Sequence, residues 1–208
     1  MGVGWWQYQR DPTFITKHFY KSILNKKILH SVRDSYTARK LENVGITNVL
    51  NTSCPTTWSL DGLDTNRKNL NCRNCLFTLT DYSWNLTADT KWIEIILNHY
   101  SGDIYFFPQG FHDEEYLNTL EIFHIHKNRI KILEHSIEAL YECLKMADIN
   151  YIGTRLHSGT MCLQHNIDSV IIAIDNRATE IAKDIRLPVV ERTQPEALVK
   201  WLEGVQIF

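Results

Sequence analysis

The sequence predicts an α/β fold with Rossmann-like parallel sheets. From residue 72 onward, short apolar segments alternate with longer segments of helical periodicity. The links between them are short, and this alternation is typical of a parallel sheet with helices on its faces. The segment SVIIAI, at 169–174, is apolar throughout, which fits a central strand buried on both faces.

The second half of the chain supplies its elements in regular order. Short apolar runs predict strands, and the periodic segments between them predict helices. The polar segment PQGFHDEE, which follows residue 107, predicts a break in the pattern. The predicted strands are 75–80, 103–107, 129–133, 149–153, 169–174 and 187–190, and the predicted helices are 88–100, 134–146, 158–166, 177–185 and 195–203.

The first half repeats the alternation over a shorter distance. Apolar and periodic segments predict a strand at 1–6, a helix at 12–27, a strand at 28–32, a helix at 36–45 that closes with a glycine, and a strand at 46–53. The polar segment 59–71 is interpreted as a linker. The chain therefore divides into the remainder of an N-terminal Rossmann-like domain (1–58), the linker, and a C-terminal Rossmann-like domain (72–208).

Composition narrows the class of protein. A net charge of -2 and a pI near 6.5 argue against broad electrostatic binding to nucleic acid or anionic membranes. No stretch approaches the roughly 18 apolar residues of a membrane-spanning helix, and the N-terminus does not resemble a secretory signal. Five cysteines, an odd number, indicate reduced thiols in a cytoplasmic protein.

Polar side chains follow nearly every predicted strand, at the edge of an open parallel sheet where ligands bind. Three arginines and a histidine at such an edge favour a binding site, although loops are polar in most proteins. The candidate residues at these positions are Arg33, Asp34, Asp81, Gln109, Arg155, His157, Asn176 and Arg177.

Arg155 and His157 stand where the strand at 149–153 gives way to a helix. The N-terminus of a helix presents free N–H groups and a positive potential, which suit phosphate or carboxylate. An arginine adds bidentate oxyanion binding, and a histidine can donate a hydrogen bond or a proton near neutral pH. The alternative is a structural role, in which Arg155 pairs with Asp148 or Asp175 and the histidine caps the sheet.

Cys72 and Cys75 are spaced like zinc ligands, with His124 and His126 as further candidates. One isolated pair is a weak signal, because a structural zinc site needs four ligands of suitable spacing. We therefore predict no metal site.

Five segments together resemble the polysaccharide pyruvyl transferase family. They are SVRDSYT…LENVGITNVLNTSCPTTW, TLTDYS, IYFFPQGFHDEEYL, YIGTRLHSGT and IIAIDNRATEIAKDIRLPVVER, in the order of the family. The resemblance implies a glycosyltransferase-B-like architecture with the active site between two domains. It also implies transfer of pyruvate from phosphoenolpyruvate, the donor substrate, to sugar hydroxyls of a bacterial surface polysaccharide, with no other cofactor.

The resemblance also implies roles for individual residues. Its R-L-H motif, which holds phosphoenolpyruvate, corresponds to Arg155, Leu156 and His157, and the arginine of its V-R-D motif, which faces that donor, corresponds to Arg33. His157 is a candidate acid or phosphate ligand, and Asp34 and Asp81 could orient a hydroxyl or cap a helix. The expected catalytic residues are His157, Arg155 and Arg33, and the expected substrate-binding residues are Leu156, Ser158, Asp34, Asp81, Gln109, Asn176 and Arg177.

The sequence departs from the family at its start, where the family carries a longer N-terminal domain with a glycine-rich N-x-G-D loop. The first 58 residues supply about three strands, whereas a self-sufficient sheet has roughly five or six. An open sheet edge and an uncovered apolar face are expected, to be completed by self-association or by a separate N-terminal polypeptide. Two other functions stay open: a nucleotide-sugar glycosyltransferase, and a truncated, non-catalytic remnant or assembly module.

Overall fold

The computed structural model describes residues 3–5, 7–24, 26–60, 69, 71–146 and 148–207. The chain forms two compact α/β units: unit 1 is Met1–Asp61 with Asp175–Leu187, and unit 2 is Gly62–Ile174 with Pro188–Phe208. Most of the segment interpreted as a linker lies outside the described residues. In chain order the elements are α1 (Phe14–Ile23), β1 (His30–Val32), α2 (Ser35–Asn43), β2 (Val49–Asn51), a 3-10 turn (Pro55–Leu60), β3 (Asn74–Thr78), α3 (Leu86–His99), β4 (Ile104–Phe106), α4 (Asp113–Asn118), α5 (Glu121–Ile125), β5 (Ile130–Ile132), α6 (Ile137–Leu144), β6 (Ile149–Gly153), α7 (Leu156–Gln164), β7 (Ser169–Ala173), α8 (Asn176–Ile185), β8 (Val189–Glu191) and α9 (Pro195–Leu202).

The described strands of unit 2 form a six-stranded sheet in the order β5-β4-β3-β6-β7-β8. Every neighbouring pair in it is parallel. The chain enters at β3, moves outward through β4 and β5, and returns to the other side of β3 as β6. This is the strand order of doubly wound nucleotide-binding sheets, and its topological switch point lies between β3 and β6.

The core of unit 2 lies on both faces of this sheet. All five residues of β6 and all five of β7 are buried, which explains why their sequences, INYIG and SVIIA, are almost continuously apolar. Phe77 and Phe106 meet across β3 and β4 with ring centroids 5.0 Å apart, and Trp92 and Ile93 of α3 join the same cluster. The rigid centre of the sheet therefore fixes the loops that leave its carboxyl edge.

Unit 1 is built on a small parallel sheet, in which β1 pairs with β2 and Val3 forms a single bridge to Val32. Its core consists of Val32, Leu41, Val44 and Ile46. Helix α8 also belongs to this unit, although the predicted boundaries placed 175–187 in the C-terminal domain. Side-chain hydrogen bonds from α8 to the N-terminal segment, described below, account for that assignment.

The apolar face expected in the first part of the chain is present on α1. None of the residues of this helix is buried, and Phe14, Ile15, Phe19 and Ile23 are exposed. In the part of the chain that the structure describes, no helix is both long and apolar enough to cross a membrane.

The predicted strands of unit 2 are all present, with ends that differ from the observed ones by at most two residues. The predicted strand at 1–6 is reduced, among its described residues, to the bridge at Val3. The predicted break after residue 107 was wrong in part, because α4 and α5 follow it. Helices of six and five residues are too short to show periodicity, and α4 carries three acidic residues in its first turn, where they favour a helix electrostatically.

Candidate functional site

The ends of β3 and β6, at the switch point of unit 2, are tied together by side-chain hydroxyls. The Thr80 and Thr154 hydroxyls share a hydrogen bond of 2.7 Å, and the Arg155 N–H donates to Thr78 Oγ1 at 3.2 Å. The Tyr151 hydroxyl donates to the Arg155 carbonyl at 2.9 Å, so all four of these hydroxyls (Thr78, Thr80, Thr154 and Tyr151) are paired. The backbone that carries Arg155 is therefore held firmly at the place where open α/β sheets bind ligands.

The guanidinium of Arg155 is held by protein carboxylates. Its Nε donates to the Leu79 carbonyl and to Asp113 Oδ2, both at 3.1 Å, and its Nη2 donates to Asp81 Oδ1 at 2.9 Å and to Asp113 Oδ1. The side chain is 13% exposed. Arg155 and Asp81, which the sequence analysis proposed separately, therefore form one ion-paired cluster.

Asp113 is the residue of this cluster that the sequence analysis missed. Its side chain is fully buried, and besides Arg155 it accepts the N–H of Asp81 at 2.8 Å and the N–H of Gly110 at 2.6 Å. It opens the short helix α4, inside the segment that was interpreted as a polar break. A glycine at position 110 is the sequence feature that goes with this close packing. A side chain there would overlap the Arg155 guanidinium and the two carboxylates.

Charge keeps Arg155 protonated despite its position. Burial disfavours the charged guanidinium, but the hydrogen bond and charge of Asp113, together with the charge of Asp81, outweigh burial and raise the pKa of Arg155. Two carboxylates facing one guanidinium leave the cluster with a net negative charge. Arg155 is thus ion-paired within the protein, as in the structural role left open by the sequence, although with Asp113 and Asp81 as its partners.

The structural alternative named the wrong partners for Arg155. Asp148 accepts the Arg73 Nε at 2.9 Å, on an exposed surface. Asp175 accepts the guanidinium of Arg177, at 2.6 Å from Nη2, and it also caps α8 through the Arg177 N–H. Both aspartates are therefore paired with other arginines. Arg177 is paired with the residue that caps its own helix.

His157, Ser158 and Gln109 lie around one cavity of 280 Å³ beside the cluster. Ser158 is buried and its hydroxyl donates to Gln109 Oε1 at 2.7 Å, whereas His157, in the first turn of α7, is exposed. His135 and Ser136, at the start of α6, complete the polar lining, and neither was among the predicted residues. The apolar wall is formed by Phe107, Ile137, Leu140 and Met161.

The N-termini of α6 and α7 both border this cavity. Helix α7 begins at Leu156, and Arg155 at its N-cap position makes no side-chain capping bond. Helix α6 is capped by Ser136, whose Oγ accepts the Ala139 N–H at 3.1 Å. The first turns of both helices leave N–H groups without intrahelical partners, an arrangement that favours binding of an anion.

Arg33 and Asp34 follow β1 in unit 1, and Asp34 caps a helix, as one of its two predicted roles proposed. Its buried carboxylate accepts the Thr37 N–H at 2.6 Å and the Arg33 Nε at 3.3 Å. A side chain at Gly4 would overlap the Arg33 guanidinium. Arg33 belongs to unit 1 and Arg155 and His157 to unit 2, and the expectation that they face each other stays a prediction.

Asn176, another predicted substrate-binding residue, has a structural task in unit 1. Its Oδ1 accepts the Gln7 N–H at 2.8 Å and its Nδ2 donates to the Trp5 carbonyl at 3.1 Å. On the next turn of α8, the buried Glu180 accepts the Tyr8 hydroxyl at 2.6 Å. These contacts join α8 to the N-terminal segment.

A second buried ion pair lies at the carboxyl edge of β8, where the sequence analysis placed no candidate. Arg192 donates from Nε to Asp89 Oδ1 at 2.8 Å and from Nη2 to Oδ2, and its Nη1 contacts Ser83 Oγ at 3.2 Å. The Tyr116 hydroxyl donates to Asp89 Oδ2 at 2.5 Å. This network ties β8, α3 and α4 together.

The cysteines are all free thiols. Cys72 and Cys75 are buried, and within the described ranges no three histidine, cysteine, aspartate or glutamate side chains are grouped to hold a metal ion. Burial raises the pKa of the Cys143 thiol to about 12 and also raises the pKa of Cys162. Neither of the last two thiols is therefore suited to act as a nucleophile.

Comparison with known proteins agrees with this architecture. A solved structure of UDP-GlcNAc 2-epimerase from Methanocaldococcus jannaschii, in complex with UDP-GlcNAc and UDP, is similar to the chain with a TM-score of 0.57 and 16% identity. The similarity covers 85% of this chain and 53% of the epimerase chain, so this chain spans about half of that structure's length. At this identity the likeness shows the fold alone, and it confirms the predicted class of Rossmann-like, glycosyltransferase-B-like α/β proteins.

Sequence comparison identifies the family. No curated protein sequence matches the chain significantly. The family model for polysaccharide pyruvyl transferase matches residues 1–176, which includes both arginine motifs and the whole switch point of unit 2. Because this match covers most of the 208 residues, the chain belongs to the polysaccharide pyruvyl transferase family.

Proposed function

We propose that this chain binds phosphoenolpyruvate at the carboxyl edge of unit 2 and takes part in transferring its pyruvyl group to sugar hydroxyls. The observation that supports the proposal best is the cavity of 280 Å³ bordered by two helix N-termini and by His157. Phosphoenolpyruvate carries a phosphate and a carboxylate, and each helix N-terminus suits one anionic group. Family membership supports the same reaction class.

His157 is the proposed acid or phosphate ligand. It is the second residue of α7, it lines the cavity, and its side chain is exposed to an incoming substrate. An imidazole at this point can donate a hydrogen bond to a phosphate oxygen or deliver a proton. Ser158 and Gln109, which share a hydrogen bond, add two polar groups to the lining of the same cavity.

The chemistry is a ketal transfer in which atoms and charge balance. The methylene carbon of phosphoenolpyruvate takes a proton and becomes a methyl group, and two sugar hydroxyls form C–O bonds to the adjacent carbon while phosphate leaves. The hydroxyls release two protons, which replace the one given to the methylene carbon and protonate the leaving phosphate. We assign the base to no residue of this chain, because Asp81 is held by Arg155 and Asp34 caps a helix.

The test is calorimetric titration of the full chain with phosphoenolpyruvate, inorganic phosphate and UDP. His157→Asn removes the proposed donor, and His18→Asn, at an exposed histidine of α1, is the matched control. We expect saturable binding of phosphoenolpyruvate that the first substitution abolishes and the second leaves unchanged. Binding of UDP alone would instead favour a nucleotide-sugar transferase, and a folded chain that binds none of the three would favour an assembly module.

Acceptor transfer is the second arm of the same test. Release of phosphate from phosphoenolpyruvate in the presence of a pyruvylation-competent polysaccharide, such as one rich in vicinal or 4,6-diols, measures turnover. Transfer that depends on His157 would support a place in surface polysaccharide synthesis, in the cytoplasmic compartment that the free thiols favour.

A further inference from the structure

The Arg155 guanidinium is fixed at two of its three nitrogens. Nε and Nη2 donate to Asp113, to Asp81 and to the Leu79 carbonyl, as described above. Within the part of the chain that the structure describes, Nη1 makes no hydrogen bond. Nη1 is also not among the buried side-chain atoms that lack a partner, so it is the donor of Arg155 that a ligand could use.

The fixing groups themselves are rigid. Asp113 is fully buried and accepts two backbone N–H groups, one from the loop after β3 at Asp81 and one from the loop after β4 at Gly110. Arg155 lies in the loop after β6, so a single carboxylate joins three loops at the switch point. The close approach of these loops requires glycine at position 110, because a Cβ there would lie 2.7 Å from Asp81 Oδ2 and overlap the guanidinium.

We infer that Asp113 and Asp81 are positioning residues, which orient Arg155 so that only Nη1 is offered to an anionic substrate. This inference rests on the proposed function of the same site. Neither aspartate attracts an anion, because the negative charge of each carboxylate repels it. Their presence next to the proposed donor site is therefore explained by geometry, since bidentate acceptors hold a planar guanidinium in one orientation.

Charge and geometry make opposite predictions for Asp113→Asn. If charge dominated, removing a carboxylate would strengthen the binding of phosphoenolpyruvate. If Asp113 positions Arg155, the same change weakens binding by about tenfold, the loss expected when one charge-assisted hydrogen bond is no longer aligned. Tighter or unchanged binding by Asp113→Asn would overturn the inference.

The matched control is Asp89→Asn. Asp89 is also a buried carboxylate that holds an arginine by Nε and Nη2, at the edge of β8 rather than at the switch point. Both substitutions are expected to lower thermal stability, but only Asp113→Asn should weaken binding of phosphoenolpyruvate. Should Asp113→Asn fail to fold, Asp81→Asn, at a carboxylate that is 19% exposed, removes an acceptor of Nη2 and should act in the same direction.

A measurement without ligand separates this inference from the proposed function. In nitrogen NMR of arginine side chains, restricted rotation about the Cζ–Nη bonds gives resolved Nη signals, and Arg155→Lys assigns them. We expect resolved signals in the parent chain that collapse in Asp113→Asn and persist in Asp89→Asn. Absence of phosphoenolpyruvate binding by the parent chain would refute the proposed function, whereas resolved Nη signals that survive Asp113→Asn would refute the positioning role.

Discussion

Replacing Arg192 with methionine should be among the most damaging single changes in unit 2. The Arg192 side chain is 9% exposed and that of its partner Asp89 is 1% exposed, so the substitution leaves a buried carboxylate whose one remaining side-chain donor, among the described residues, is the Tyr116 hydroxyl. Removing one partner of a buried ion pair costs about 3–5 kcal/mol, because the remaining charge keeps its desolvation penalty. In a chain of this size that loss lowers the melting temperature by roughly 6–20 °C.

Urea denaturation followed by circular dichroism measures the effect, with Arg73→Met as the control. Arg73 also pairs with an aspartate, but it is 74% exposed, and exposed pairs contribute at most about 1 kcal/mol. Adding Asp89→Asn to Arg192→Met should recover part of the lost stability, because the orphaned charge is removed. Equal effects of Arg192→Met and Arg73→Met, or a double variant no more stable than Arg192→Met, would refute the reasoning.

The burial of Tyr151, Cys143 and Gly159 in unit 2 predicts a pH dependence of stability, a low thiol reactivity and a loss of stability on substitution. Burial raises the pKa of Tyr151, so at a pH just above about 10 the phenol is still protonated in the folded chain but ionised in the unfolded chain. The free energy of unfolding should therefore fall as pH rises above about 10. Tyr151→Phe should flatten that fall in urea titrations. Iodoacetamide at pH 8 should label the half-buried Cys54 well before Cys143, as followed by peptide mass spectrometry, and equal rates in the folded chain would contradict the burial of Cys143. Gly159→Ala should destabilise the chain by about 1–3 kcal/mol in urea, since the new Cβ would lie 2.5 Å from Ile171 Cγ1, and an unchanged midpoint would show that the neighbouring strand yields.

The sheet of unit 2 could be predicted because its strands are buried on both faces. Such strands read as continuous apolar runs, and β6 and β7 are the clearest examples. Helices α4 and α5 were missed because six and five residues do not complete two turns, so no apolar stripe repeats. The placement of α8 in unit 1 could not be predicted either, since it depends on Asn176 and Glu180 meeting residues about 170 positions earlier.

The position of the candidate site could be predicted from the sequence, but its hydrogen bonds and ion pairs could not. Loops at the carboxyl edge of a parallel sheet are where ligands bind, and Asp81, Gln109 and Arg155 do lie on those loops, with His157 in the first turn of the helix that follows. Asp113 was not found, because an aspartate in a run of polar residues carries no signal of burial. His135 was not predicted because it lies just before α6, after β5, a strand for which no candidate residue was proposed.

Arg155 shows why residue type alone cannot assign an anion site. An arginine after a strand can offer its whole fork to a substrate or give most of it to protein acceptors, and the sequence is the same in both cases. Here two nitrogens are committed to Asp113 and Asp81. The groups that border the cavity are His157 and the N-termini of α6 and α7. Helix N–H groups attract an anion without adding a mobile charge, so a site of this kind discriminates by orientation more than by net charge. For a donor that carries both phosphate and carboxylate, fixed orientation is what brings its reacting carbon, rather than only its charge, into line with a sugar hydroxyl.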